Sequence, residues 1–175
     1  DWAKVNINAY SDVWTPRDQR PTSGDPSSIV RAWSSFAWDS TRHQLILWGG
    51  GHANYGGNEI YTWQSSTLEW TRESLPSAIQ PIPGSPTGFV TVDGPMHSPI
   101  SSHTYDNQEY LPVVDRFITF GGAAYNSGGK FVKQDASGNW SFTGPYLWDP
   151  SKPDADKVGG LTGSPDLYRP VTVLS

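Results

Sequence analysis

The sequence predicts an all-β fold built from repeated antiparallel units, and three observations carry that reading. A strand-forming apolar run ends in glycines twice, as Leu45-Ile46-Leu47-Trp48-Gly49-Gly50 and as Phe117-Ile118-Thr119-Phe120-Gly121-Gly122. A second diglycine follows at the same spacing in both copies, Gly56-Gly57 and Gly128-Gly129, and a tryptophan closes each unit, Trp70 and Trp140. No segment carries the apolar period of an amphipathic helix. Self-similarity of this length marks supersecondary units that cannot bury their apolar faces singly.

Residues 1–28 hold Pro16, Pro21 and Pro26 and lack a clean period. They are expected to form an extended approach segment anchored by Trp2, Tyr10 and Trp14, with one short strand where Val5 and Ile7 alternate with polar residues. The first unit spans 29–72. Its strands are expected at 29–38, 45–48, 60–63 and 68–71, with turns at 39–43 and 65–67. Residues 73–99 contain Pro76, Pro81, Pro83, Pro86, Pro95 and Pro99, the mark of a long connection, with one strand at 89–92. The second unit spans 100–142. In it, Ser101-Ser102-His103-Thr104-Tyr105-Asp106 matches Ser34-Ser35-Phe36-Ala37-Trp38-Asp39, provided five extra residues are allowed before the second diglycine. Residues 143–175 form a further connection, and Tyr168 to Leu174 reads as a strand. Its open edge calls for remaining blades or another chain to pair with it.

Gly49, Gly50, Tyr61 and Trp70, and again Gly121, Gly122, Phe131 and Trp140, resemble the kelch repeat, in which a diglycine, a later aromatic and a closing tryptophan follow in order. The resemblance covers 33–70 and 101–140, under half of the chain. It implies a kelch-like β-propeller whose blades are antiparallel four-stranded sheets. At about 45 residues per blade, 175 residues suffice for two to four blades, so a partial propeller and a four-bladed domain both remain open. The resemblance also implies binding on the face that gathers the loops 51–58 and 123–129 with the exits 73–99 and 143–165.

Composition narrows the partners. Charged residues are 17% and the net charge is −5, with Lys and Arg scattered, which argues against nucleic acid and anionic membranes. No apolar run is long enough to span a bilayer. The absence of cysteine removes disulfide and thiol chemistry. A chain that begins at Asp1 and is rich in Trp, Asn, Ser and Gly is expected to be secreted, extracellular or periplasmic, with its leader absent.

The densest candidate site is the bend Gly51-His52-Ala53-Asn54-Tyr55-Gly56-Gly57-Asn58-Glu59. A histidine that accepts a proton near neutrality beside a tyrosine that donates one suits acid–base chemistry, so His52, Tyr55 and His103 are the catalytic candidates. His52 has Ala124 as its counterpart and is not demanded by the repeat. Asn54 and Asn126 occupy equivalent positions, as expected of amides that cap a loop backbone. For ligand binding the candidates are Asn54, Asn58, Glu59, His97, Tyr125, Asn126, Tyr146 and Trp148. His52, His97 and His103 could meet Asp93 or Glu59 around a metal, but no short ligand spacing such as HxxxH is present, so neither metal nor cofactor is called for. Trp33, Trp38, Trp48 and Trp63 are assigned to strand packing.

Loop aromatics beside amides suit the C–H face and hydroxyl rim of a sugar. The leading expectation is therefore a binding module for a carbohydrate or protein ligand. The alternatives are a polysaccharide lyase or hydrolase using His52 or His103 with a tyrosine, and a structural surface or assembly protein. A galactose-oxidase-like centre requires a tyrosine cross-linked to cysteine and is ruled out for this chain. The sialidase-like turn is approached by residues 134–140 but with altered spacing.

Overall fold

The structure is a computed structural model that describes residues 1–22, 24–33, 35–82, 89–95, 97–122, 132–134, 137–142, 144–151 and 169–170. Among these, regular structure is mainly antiparallel β, with one short helix, α1 (Ser27–Arg31), and three 3-10 turns. A first four-stranded sheet follows chain order: β1 (Ala37–Asp39), β2 (Gln44–Leu47), β3 (Tyr61–Gln64) and β4 (Glu69–Arg72). Register pairs Ala37 with Ile46, Ile46 with Thr62, and Trp63 with Trp70. A two-stranded hairpin of β5 (Ile79–Pro81) and β6 (Phe89–Thr91) follows, as the sequence led one to expect for the second strand.

The second four-stranded sheet contains β7 (Gln108–Leu111) and β8 (Arg116–Thr119). Between β8 and the next member of that sheet lies a separate hairpin of β9 (Val132–Gln134) and β10 (Trp140–Phe142). The sheet is completed by β11 (Tyr146–Trp148) and β12 (Arg169–Pro170), in the order β12-β11-β8-β7.

Successive strand residues point to opposite faces, and both faces of the first sheet are covered. Ile46 enters a core with Ala37, Trp48 and Ile60, shared with Ile100, Tyr110, Phe117, Tyr146 and Trp148 of the following segments. Leu47 enters a second cluster with Ile29, Tyr55 and Tyr61, closed by Tyr10, Val13 and Trp14 of the N-terminal segment. Burial on both faces explains why β2 reads as an apolar run and not as an alternation. Between the sheets, the Arg42 guanidinium forks onto Asp115 at 2.6 and 2.7 Å, and the Tyr110 hydroxyl donates to Asp115 at 2.7 Å.

Several boundaries differ from the sequence reading. Residues 29–38 are not one strand: Asp25 Oδ1 accepts the Ser27 N–H at 2.9 Å, and Pro26 leads into α1. Proline fits the start of a helix because its missing N–H would be unpaired there. In the second unit the first sheet strand is β7 and not 101–106. His43 and Asp115 then hold the same place in their turns, with φ 53 and 51, and the five-residue insertion disappears. The third strand beside β8 is β11, with Tyr146 opposite Thr119 and Trp148 opposite Phe117, instead of the segment leading to Trp140. Tyr146 and Trp148 are 2% and 1% exposed there, so this pairing seats two large rings in the shared core.

At the N-terminus, Trp2 is fully exposed and anchors nothing. Val5 and Ile7 form no strand; instead the Ile7 N–H donates to Leu68 O at 2.9 Å, and Asn8 bonds both the N–H and the carbonyl of Trp70. Of the expected strand from Tyr168 to Leu174, the described Arg169 and Pro170 pair with Leu147 and Tyr146 of the same chain; the rest lies outside the described residues.

Candidate functional site

Glycine sets the site's position. Gly49 and Gly50 have φ of 117 and 91, angles that bulky residues resist, and they turn the chain sharply after Trp48. The bend then meets the segment entering the second sheet. A Cβ on Gly51 would lie 2.7 Å from the Ser102 carbonyl carbon and 2.8 Å from Ser102 Cα. From the other side, a Cβ on Gly122 would lie 1.9 Å from the His103 carbonyl oxygen. The backbone of Ser102 and His103 is thus gripped between the glycine bends of the two units. The Gly51 N–H donates to Ser102 O at 3.2 Å, and the Ser101 hydroxyl donates to Gly49 O at 2.8 Å.

This grip brings His52 against His103. His52 sits in a 3-10 turn, Gly51–Ala53, closed by Asn54 in the left-handed region at φ 59. His52 Nδ1 is 3.2 Å from His103 Nδ1, and the Tyr105 hydroxyl is 3.3 Å from each of them. The Trp33 ring stands edge-on to His52, 4.3 Å between centroids at 88°. Both imidazoles are half-buried, whereas Trp33 and Tyr105 are 69% and 46% exposed.

Trp33 and Tyr105 also have φ of 48 and 45. For bulky side chains this conformation costs about 1–2 kcal/mol each, and such strain collects at functional sites. Burial lowers the His103 pKa first and the charge of His52 second, opposed by a hydrogen bond with the Gly51 backbone. The cluster offers imidazole nitrogens and a phenol as hydrogen-bonding groups, with an indole alongside as an apolar platform.

The other candidates are placed elsewhere. Tyr55 is fully buried and donates to Glu59 Oε1, which also accepts from Thr15 Oγ1 at 2.7 Å and Tyr61 OH at 2.9 Å. Burial, and then the charge of Glu59, drive the Tyr55 pKa far up, which holds the phenol as a neutral donor. This network belongs to the core and does not join His52. Asn58 is 1% exposed and ties three segments together: its Nδ2 donates to Ser98 Oγ at 2.7 Å and Pro99 O at 2.9 Å, and its Oδ1 accepts the Ser77 N–H at 2.8 Å.

Asn54 is exposed and closes the turn through its backbone, its N–H donating to Gly51 O at 2.9 Å, and not through its amide as the repeat led one to expect. His97 is exposed in a turn closed by its own N–H to Gly94 O at 3.0 Å. Tyr146 donates to Pro95 O, and with Trp148 it lies in the core and not on a binding face. Tyr125 and Asn126 lie outside the described residues. Trp33 and Tyr105 were missed as site residues. The signal available for Tyr105 was its place two residues from His103 in the sequence.

Among the described residues no group of three His, Cys, Asp or Glu side chains is placed to hold a metal ion, so His97, Asp93 and Glu59 do not join His52 and His103. No described helix is long and apolar enough to cross a membrane. No protein-family model, curated protein or solved structure matches the chain.

Proposed function

We propose that the two four-stranded sheets are blades of a kelch-like β-propeller and that the chain is a glycan-binding module of a secreted protein. Its sugar face is formed by Trp33, His52, His103 and Tyr105. The blade assignment draws support from the repeated strand, turn and diglycine at β1–β2 and β7–β8, with His43 and Asp115 both left-handed at the same turn position.

One observation carries the glycan reading. Two exposed aromatics, held in costly backbone conformations, flank a pair of imidazoles whose polar atoms lie within 3.3 Å of a phenol. Aromatic side chains with a polar handle offer a sugar an apolar face and hydrogen bonds together. The test is titration with neutral and acidic oligosaccharides followed by tryptophan fluorescence and calorimetry. Trp33→Ala and Tyr105→Ala are expected to abolish binding while the far-ultraviolet circular dichroism is retained. Binding that survives both changes would move the site elsewhere.

A second reading, an acid–base enzyme acting on a polysaccharide, is favoured by one geometric fact: His103 Nδ1 lies 3.3 Å from a phenolic hydroxyl. General acid–base catalysis needs such groups within reach of one substrate. Under that reading, product accumulates with the native chain and ceases with His103→Ala; under the binding reading, no product forms with either.

A further inference from the structure

The geometry points to a metal site that the sequence did not announce: His52 Nδ1, His103 Nδ1 and Tyr105 Oη form one face of a tetrahedral coordination shell for a divalent transition ion of the zinc class. The three atoms stand 3.2, 3.3 and 3.3 Å apart, close to an equilateral triangle. Two donors of a regular tetrahedron are separated by about 1.63 bond lengths, so bonds of about 2.0 Å place them about 3.3 Å apart.

Hydrogen bonding accounts for the triangle less well. Three mutual contacts among two neutral imidazole nitrogens and one hydroxyl cannot all hold a proton. The two contacts with the Tyr105 hydroxyl, both at 3.3 Å, also exceed the usual length of about 2.8 Å for a hydroxyl donor.

The donor set has the required chemistry. Imidazole suits zinc, cobalt and copper, and a phenol that gives up its proton supplies an anionic oxygen. Donors come from both units, His52 from the turn after β2 and His103 and Tyr105 from the entry to β7. The grip of Gly51 and Gly122 on residues 102 and 103 fixes them before any ion arrives. Tyr105 is 46% exposed, so solvent reaches the cluster and water or a ligand oxygen can supply a fourth donor. A group of three His, Cys, Asp or Glu side chains does not form here because the third donor is a tyrosine.

The site shares His52, His103 and Tyr105 with the proposed sugar face, but its test contains no sugar, so failure of the metal site and failure of the glycan reading are told apart. Chelator-treated full chain is titrated with Zn2+ by calorimetry and with Co2+ by visible absorption. The expected result is one ion per chain and the intense bands of tetrahedral Co2+. Affinity is expected to fall at least about a hundredfold in His52→Ala and His103→Ala and about ten- to a hundredfold in Tyr105→Phe. The controls His43→Ala and His97→Ala are expected to bind as the native chain does. If an alanine variant misfolds, His103→Gln and the native Co2+ spectrum decide the matter. No binding, a weak octahedral Co2+ spectrum, or affinity lost in His97→Ala and kept in His52→Ala would each overturn the assignment.

Discussion

Gly51→Ala is the sharpest probe of how the fold makes the site. The added Cβ would lie 2.7 Å from the Ser102 carbonyl carbon, with backbone on both sides of the contact and no flexible side chain to yield. Ordinary contact between carbons begins near about 3.5 Å, so the two segments must part by about 0.8 Å. Forced overpacking of this kind costs about 1–3 kcal/mol. His52 moves with Gly51, so its 3.2 Å contact with His103 opens by a comparable amount. The variant is therefore expected to lose both stability and the imidazole pair. Urea unfolding measures the first, and Zn2+ titration the second. Gly24→Ala is the control: its Cβ would meet nothing nearer than 3.5 Å, and its stability should match the native chain or exceed it slightly. A Gly51→Ala chain with native stability and native Zn2+ affinity would refute the idea that glycine contact aligns the two histidines.

Further predictions concern the core and the sheet junction. Tyr61→Phe removes the acceptor of the Thr15 N–H at 2.9 Å and a donor to Glu59 Oε1 at 2.9 Å, both buried. A loss of about 3 kcal/mol in urea unfolding is expected, and a loss below about 1 kcal/mol would deny the network its structural role. The Arg42 guanidinium, and then the Tyr110 hydroxyl, hold the Asp115 carboxyl well below its usual range. A depressed carboxyl contributes stability above its unfolded pKa and loses it as pH falls through the folded value. Asp115→Asn should therefore cost about 1 kcal/mol at neutral pH, with the gap closing below about pH 4; a gap independent of pH would contradict this. Leu68 has φ 62 in the turn between β3 and β4, so Leu68→Asn should raise the unfolding free energy by about 0.5–1 kcal/mol, and a marked loss would show that its half-buried side chain matters more than its backbone.

The all-β class was legible because its signals are local. Gly49, Gly50 and Gly121 stand where φ is 117, 91 and 74, and the run from Leu45 to Trp48 announces a strand. His52 was also legible, as a residue in the bend that the repeat did not require. What could not be read depends on distant pairing. Whether β8 takes Tyr146–Trp148 or an earlier segment as neighbour is settled by which rings fill the shared core, and the repeat spacing favoured the wrong one. Tyr55 looked like a loop aromatic but is fully buried, because residues 10–15 fold back over it from the N-terminus. Trp33 looked like strand packing, but α1 ends just before it and leaves it exposed at φ 48. Tyr105 stands two residues from His103 in the sequence, but the left-handed backbone at φ 45 that accompanies its place in the cluster leaves no mark in the repeat.

The most direct test of the central claim is to follow the imidazole resonances of the native chain by NMR during titration with an oligosaccharide, with and without Zn2+. The account predicts saturable shifts at His52 and His103, matched by the Trp33 indole, and none at His43 or His97. Saturable binding that leaves His52 and His103 unmoved, or that shifts His97 instead, would contradict it.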